Sequence, residues 1–251
     1  MHFDMDLHVH THHSPCGDDE MVPREIIRLA VGRGIRKLAF TDHLYPFTEM
    51  RTIEDVRAKA LECPEVKRGE IDVLFGCEAE VMSPGRTAGS QEIADNLDFV
   101  MAGATHFQNK GMTDMPPTND LHEIGGHYLR MFEYAVSLPW VSVVAHPFFV
   151  TPGTCPIKAV YSIRDEELLP AIELAKQNDV AIEISRRVFW PGQLDFSTRF
   201  YRLCKRVGTK FTVGSDAHQL DHVGNIRVLQ PLIEDLGLSE SDFWQPRNGA
   251  R

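Results

Sequence analysis

Phe3-Asp4-Met5-Asp6-Leu7-His8-Val9-His10 is a short run with apolar residues at every second position that ends on two imidazoles. If Phe3–Val9 is extended, His8 and His10 point to one face and can reach the same ion. The same pattern recurs along the chain. Arg36–Thr41 leads to His43, Ile71–Cys77 to Glu78, Leu97–Gly103 to His106, and Val141–Ala145 to His146. Phe211–Gly214 leads to Asp216 and His218, and a seventh run, Val180–Ile184, leads to Arg186 and Arg187. Any one of these histidines is more easily read as a hydrogen-bonded strand-end residue. Six of the twelve histidines at one kind of topological position call for a shared cause. Side chains at the carboxyl ends of barrel strands converge on one mouth. Neutral imidazoles and carboxylates gathered there form a site for divalent ions.

Helical periodicity fills most gaps between the runs. Pro23 opens Arg24–Gly32, Thr52 is placed to cap a helix from Ile53, and Asn119 or Asp120 to start one reaching about Ser137. Asp165 can cap Glu166–Asn178, and Ser197–Val207 and Ile226–Leu236 complete the set, the last interrupted by Pro231. Strands alternating with helices predict parallel pairing through right-handed crossovers. Seven such units in 251 residues predict one α/β barrel domain spanning residues 1–251. Two connections, Gln108–Thr118 and Pro147–Arg164, are long and rich in Pro and Gly. Long irregular loops in compact domains often have functional roles, and both leave from candidate ligands, so they are expected to border a substrate.

Composition narrows the partners. A net charge of −10 argues against nucleic acid, which needs a basic face. Five cysteines, odd in number and scattered, predict reduced thiols in a cytoplasm. The start shows no basic segment followed by an apolar stretch, and no run approaches a membrane span, so neither a signal peptide nor a membrane is expected. The sequence carries no signature of an oligomeric state.

Six motifs, in order, make the chain resemble the polymerase and histidinol phosphatase (PHP) superfamily of metal-dependent phosphoesterases. They are Asp6-Leu7-His8-Val9-His10-Thr11, Thr41-Asp42-His43, Gly76-Cys77-Glu78, Thr105-His106, Ala145-His146-Pro147 and Gly214-Ser215-Asp216-Ala217-His218. The resemblance implies a distorted (β/α)7 barrel and a trinuclear cluster of zinc, manganese or iron. It implies that His8, His10, Glu78 and Asp216 hold one ion, that Glu78 bridges to a second held with His106 and His146, and that His43 and His218 hold the third. A further family ligand follows the H-x-H motif. Here that segment reads Thr11-His12-His13-Ser14-Pro15-Cys16-Gly17-Asp18-Asp19 and departs from the commonest form. Asp18 or Asp19 is the first choice and His13 the second. Cys16 also has a suitable position, but a thiolate would bias the site towards zinc and invite oxidation.

The chemistry expected is hydrolysis of a small phosphomonoester, such as histidinol phosphate, or of a nucleotide-derived substrate. Hydroxide bridging two ions, with Glu78 as the bridge, would attack phosphorus. Asp216 or a nearby histidine would pass a proton to the leaving group, and Arg186 or Arg187 would grip the phosphoryl oxygens. Arg51 and Arg86 are weaker candidates for that grip. Trp190, Phe148 and Phe107 could wall the pocket, and Asp6 and Asp42 either orient imidazoles or are ordinary strand-end residues. A C–N hydrolase of amidohydrolase type shares the H-x-H motif and the later ligands. It usually relies on a carboxylated lysine where this chain has Glu78. A non-catalytic PHP-like metal-binding module is the third reading.

Overall fold

In a computed structural model, which describes residues 4–246, each of the seven apolar runs is a strand. They are β1 (Met5–Val9), β2 (Lys37–Phe40), β3 (Asp72–Ser83), β4 (Phe99–Gly103), β5 (Val143–Ala145), β6 (Ala181–Ser185) and β7 (Phe211–Gly214). Phe3, expected to begin the first strand, lies outside the described residues. Spatial order follows chain order, and every neighbouring pair from β1 to β7 is parallel. The two edges meet just past β7. Asp216 N–H donates to the His8 carbonyl (2.9 Å), His10 N–H donates to the Ala217 carbonyl (3.0 Å), and Val9 pairs with Ala217. The α/β fold is thus a nearly closed parallel barrel whose seam lies at its mouth.

Strands covered on both faces read as continuous apolar runs because neither face meets water. Leu7, Ala39, Phe99, Met101, Val143, Ala145 and Ala181 form a cluster with Trp244. The Trp244 N–H donates to the carbonyl of Phe211, the first residue of β7, so this cluster is the floor opposite the mouth. The outward residues pack under the helices α1 (Pro23–Gly32), α2 (Arg51–Leu61), α3 (Leu121–Ser137), α4 (Asp165–Gln177), α5 (Leu194–Val207) and α6 (Gln230–Asp235). The register of β1 on β2 passes from Asp6↔Leu38 to Val9↔Phe40, three steps against two. This bulge re-aims the strand, so that Leu7 stays in the floor while His8 reaches the mouth.

Several boundaries differ from those expected. β3 runs on to Ser83, beyond the expected end at Cys77, because His43–Leu44 and Arg86–Thr87 pair with its second half. α2 begins at Arg51, and Thr52 lies inside it, donating its hydroxyl to the Glu49 carbonyl rather than capping. Arg164, not Asp165, caps α4, with Glu167 accepting its backbone N–H. α5 starts at Leu194, earlier than Ser197. The last helical pattern splits into a 3₁₀ turn and α6, with Pro231 in the first turn of α6, where its missing N–H costs nothing. Asp120 does cap α3, accepting from His122 N and Glu123 N. Among the described residues, no helix is long and apolar enough to cross a membrane.

Candidate metal centre

The six histidines and two carboxylates meet at the carboxyl ends of the strands. Glu78 sits at the middle of this group, 1% exposed. Its Oε2 lies 3.0 Å from His43 Nδ1, 3.5 Å from His8 Nε2 and 3.6 Å from His10 Nε2. Its Oε1 lies 3.1 Å from His146 Nε2 and 3.5 Å from His106 Nε2. Among the described residues, neither carboxylate oxygen has a hydrogen-bond partner, and neither has His43 Nδ1. A buried carboxylate left this way is costly unless a cation takes its lone pairs. Burial alone would raise its pKa, yet the imidazoles of His106, His43 and His8 hold it well below the usual carboxylate range.

Asp216 closes the other side. Its Oδ1 stands 3.4 Å from His10 Nε2, 3.4 Å from His218 Nδ1 and 3.7 Å from His8 Nε2. Among the described residues, three of the four groups whose ligand atoms lie within 4.8 Å of one another fall in this site: His8, His10 and Glu78; His43, Glu78 and His106; and His10, His43 and His218; the fourth is His12, His13 and Asp55. Glu78, His10 and His43 each belong to two of the groups, as shared ligands in a cluster would. Burial, together with the nearby His218 and His43, pushes His10 well below the ordinary imidazole value, leaving it neutral with a lone pair to give. This donor set of imidazoles and carboxylates, with orphaned buried oxygens, fits divalent zinc, manganese or iron.

The imidazoles are held from behind. His8 Nδ1 lies 2.7 Å from Glu183 Oε1, and His106 Nδ1 lies 2.7 Å from Glu80 Oε2. His10 Nδ1 contacts the Ser14 hydroxyl (3.0 Å), which donates to Asp42 (2.6 Å). Asp42 therefore orients an imidazole through Ser14, whereas Asp6 accepts the backbone N–H groups of Ser215 and Gly224 and locks the seam. Burial opposes protonation of His8 and His106, but the adjacent carboxylates outweigh it. His8 stays well above its ordinary value and His106 at about 9. Glu80, two residues past Glu78 on the same face of β3, contacts His106 Nδ1 from behind rather than the centre of the group. Sequence reasoning missed Glu183 and Ser14. A charged residue inside the apolar run Val180–Ile184 was the available signal for Glu183.

The backbone is bent to fit this convergence: His146 has φ +26° and Asp216 φ +52°, conformations that side chains other than glycine seldom adopt. A Cβ on Gly103 would lie 2.7 Å from His106 Cε1 and 2.8 Å from Glu78 Oε1, so only glycine leaves room for both side chains.

Above the cluster opens a cavity of about 610 Å³. Both long loops border it, through Gln108 and Asn109 on one and Phe149, Thr151 and Pro152 on the other. Arg186 and Arg187 line its wall. Arg187 Nε bonds Asp216 Oδ2, and its guanidinium lies 5.3 Å from the Phe149 ring centre. Arg51 and Arg86 instead make exposed ion pairs with Glu49 and Asp114. Of the expected aromatic walls only Trp190 lines the cavity. Phe148 and Phe107 are core residues, and Phe149 and Tyr45 take their place. Asp18 and Cys16 line the rim, but neither joins a close ligand group. Burial and the charges of Glu78 and Asp216 push the Cys16 thiol up to about 12. Asp19 is exposed, and His13 turns away to Asp55 (2.9 Å).

The chain is similar to several known proteins. A "probable phosphatase" of Acetivibrio thermocellus is 27% identical over 95% of this chain and 89% of its own length. Another, from Caldanaerobacter subterraneus subsp. tengcongensis, is 26% identical over 93% of this chain and 84% of its own. The crystal structure of histidinol phosphate phosphatase from Lactococcus lactis, complexed with zinc, L-histidinol and phosphate, superposes with a TM-score of 0.66. It is 18% identical, with 94% of each chain covered, and shares the fold. The family model described as the PHP domain matches residues 6–187, which hold all but two of the converging side chains, and the chain therefore belongs to the PHP domain family.

Proposed function

We propose that this chain, acting as one domain over residues 1–251, is a metal-dependent phosphoesterase that hydrolyses a small phosphomonoester. The observation that carries the proposal is Glu78: a buried carboxylate with both oxygens unpartnered, ringed by imidazole nitrogens at 3.0–3.6 Å. His8, His10, Glu78 and Asp216 would hold one divalent ion, Glu78 with His106 and His146 a second, and His43 with His218 a third that Asp18 on the rim completes. Ions bound there would supply hydroxide at neutral pH and offset charge on a phosphoryl group. Arg186 and Arg187 on the cavity wall would grip the phosphoryl oxygens, Arg187 while also fixing Asp216.

Asp216 fits a holding role better than that of an acid. Burial would raise its pKa, but Arg187 and His8 hold it well below the usual carboxylate range, so it gives up no proton near neutrality. The cavity suits a leaving group of metabolite size, and the phosphatase relatives and the histidinol phosphate phosphatase neighbour support that class. Its five free cysteines suit a reducing cytoplasm.

The test is phosphate release from a panel of phosphomonoesters and phosphodiesters, histidinol phosphate included, after loading with manganese, zinc or iron. Turnover of a monoester that a chelator abolishes is the expected result. A metal-loaded protein that releases phosphate from no member of the panel would overturn the reading.

A further inference from the structure

β6 is the one barrel strand that is followed by no candidate ligand, yet its inward Glu183 is 0% exposed and reaches two of the ligand-bearing strands. Glu183 Oε1 lies 2.7 Å from His8 Nδ1, on β1, and Oε2 accepts the backbone N–H of His146 (2.7 Å), at the end of β5. His146 is also the residue with φ +26°. Space for the carboxylate is provided by Gly214 on β7, where a Cβ would stand 2.3 Å from Glu183 Oε1. We infer that Glu183 is a positioning residue that sets the tautomer of His8 and the strained backbone of His146 together, coupling two ligands on separate strands through one side chain.

A carboxylate is acceptor-only on both oxygens, and both groups facing Glu183 are N–H donors once His8 carries its proton on Nδ1. That tautomer frees the His8 Nε2 lone pair, which lies 3.0 Å from His10 Nε2 and 3.5 Å from Glu78 Oε2, where an ion would sit. An amide of the same shape offers one acceptor. With Glu183→Gln, either His146 N–H loses its partner, or His8 moves its proton to Nε2 and withdraws the lone pair. Outer-sphere partners of this kind tune affinity by about 10–100-fold.

Glu80 provides an internal control, since it holds His106 Nδ1 at the same 2.7 Å from a different strand position. The inference rests on the metal-centre reading but not on the reaction, so the experiment reads metal alone. Zinc affinity and stoichiometry would be measured by chelator competition on the full chain and on Glu183→Gln, Glu183→Asp and Glu80→Gln. Proton NMR of the zinc-loaded proteins would follow the downfield imidazole N–H resonances. Both Glu183 variants are expected to bind at least one zinc tenfold or more weakly. They should lose the His8 resonance and keep that of His106, and Glu80→Gln should do the reverse. Wild-type affinity with the His8 resonance intact in Glu183→Gln overturns the inference, as does equal loss of both resonances, which would mark a general structural role. Failure of the wild-type chain to bind zinc, manganese or iron would instead overturn the metal centre itself.

Discussion

At the scale of single residues, the site turns on whether Glu78 is a bridge or a misplaced charge. Among the described residues neither of its oxygens makes a hydrogen bond, and cations in the gaps between the imidazoles would take both sets of lone pairs. Glu78→Ala is therefore expected to lower hydrolysis by at least about 10²–10³-fold, the size of losing one preorganised electrostatic stabiliser. Its circular dichroism should stay native; full activity in this variant would remove the basis of the mechanism. Gly103 makes a steric counterpart. An added methyl there meets His106 and Glu78 at under 3 Å, so Gly103→Ala should cost about 1–3 kcal/mol in denaturant titrations and displace the Glu78 carboxylate. The convergence of these side chains was legible from sequence because they repeat. Six histidines after five apolar runs, with Glu78 after a sixth, need a common explanation even when each alone is ambiguous. Ser14 and Glu183 do not repeat, and their roles depend on which side chain stands behind which, a relation that only the packed strands define.

At the scale of elements, apolar runs located the strands well, because a strand buried on both faces can hardly be anything else at that length. Helix starts were less legible. Thr52 and Asp165 have the chemistry of caps, but local geometry gave that place to Met50 and Arg164. Asp120 had the same chemistry and does cap, through two backbone N–H groups. Asp120→Ala should thus cost about 1 kcal/mol in thermal or denaturant unfolding. Activity should be unchanged, since α3 packs outside the barrel, and a loss of activity greater than the loss of stability would show that α3 positions the cavity. The extension of β3 past Cys77 had no signal of its own within the run. It follows from pairing with residues 43–44 and 86–87, which is long-range information.

At the scale of the molecule, chemistry and stability occupy opposite ends of the barrel. The mouth gathers buried charge from six strands, and bound ions would tie those strands together. Dialysis against a chelator should abolish turnover and lower the melting temperature while the chain stays folded, because the floor and the outer core need no metal. An ion present at a hundred times its Kd adds about 2.7 kcal/mol of apparent stability, which sets the scale of the shift. The floor makes the converse prediction. Trp244, 8% exposed, packs against Phe99 with its ring tilted and the ring centres 5.6 Å apart, and closes the cluster of Leu7, Met101 and Val143. Truncating so large a buried ring leaves a cavity that rigid strands cannot collapse to fill, and Trp244→Ala is expected to cost about 3–5 kcal/mol. No ligand candidate belongs to that cluster. Metal stoichiometry, and KM for whichever phosphoester the panel identifies, should therefore match the wild type below the lowered melting temperature. Urea unfolding paired with steady-state kinetics at low temperature measures both quantities. A KM that rises in step with the lost stability would mean that the two ends of the barrel are mechanically coupled through strands only three to five residues long, such as β5 and β6.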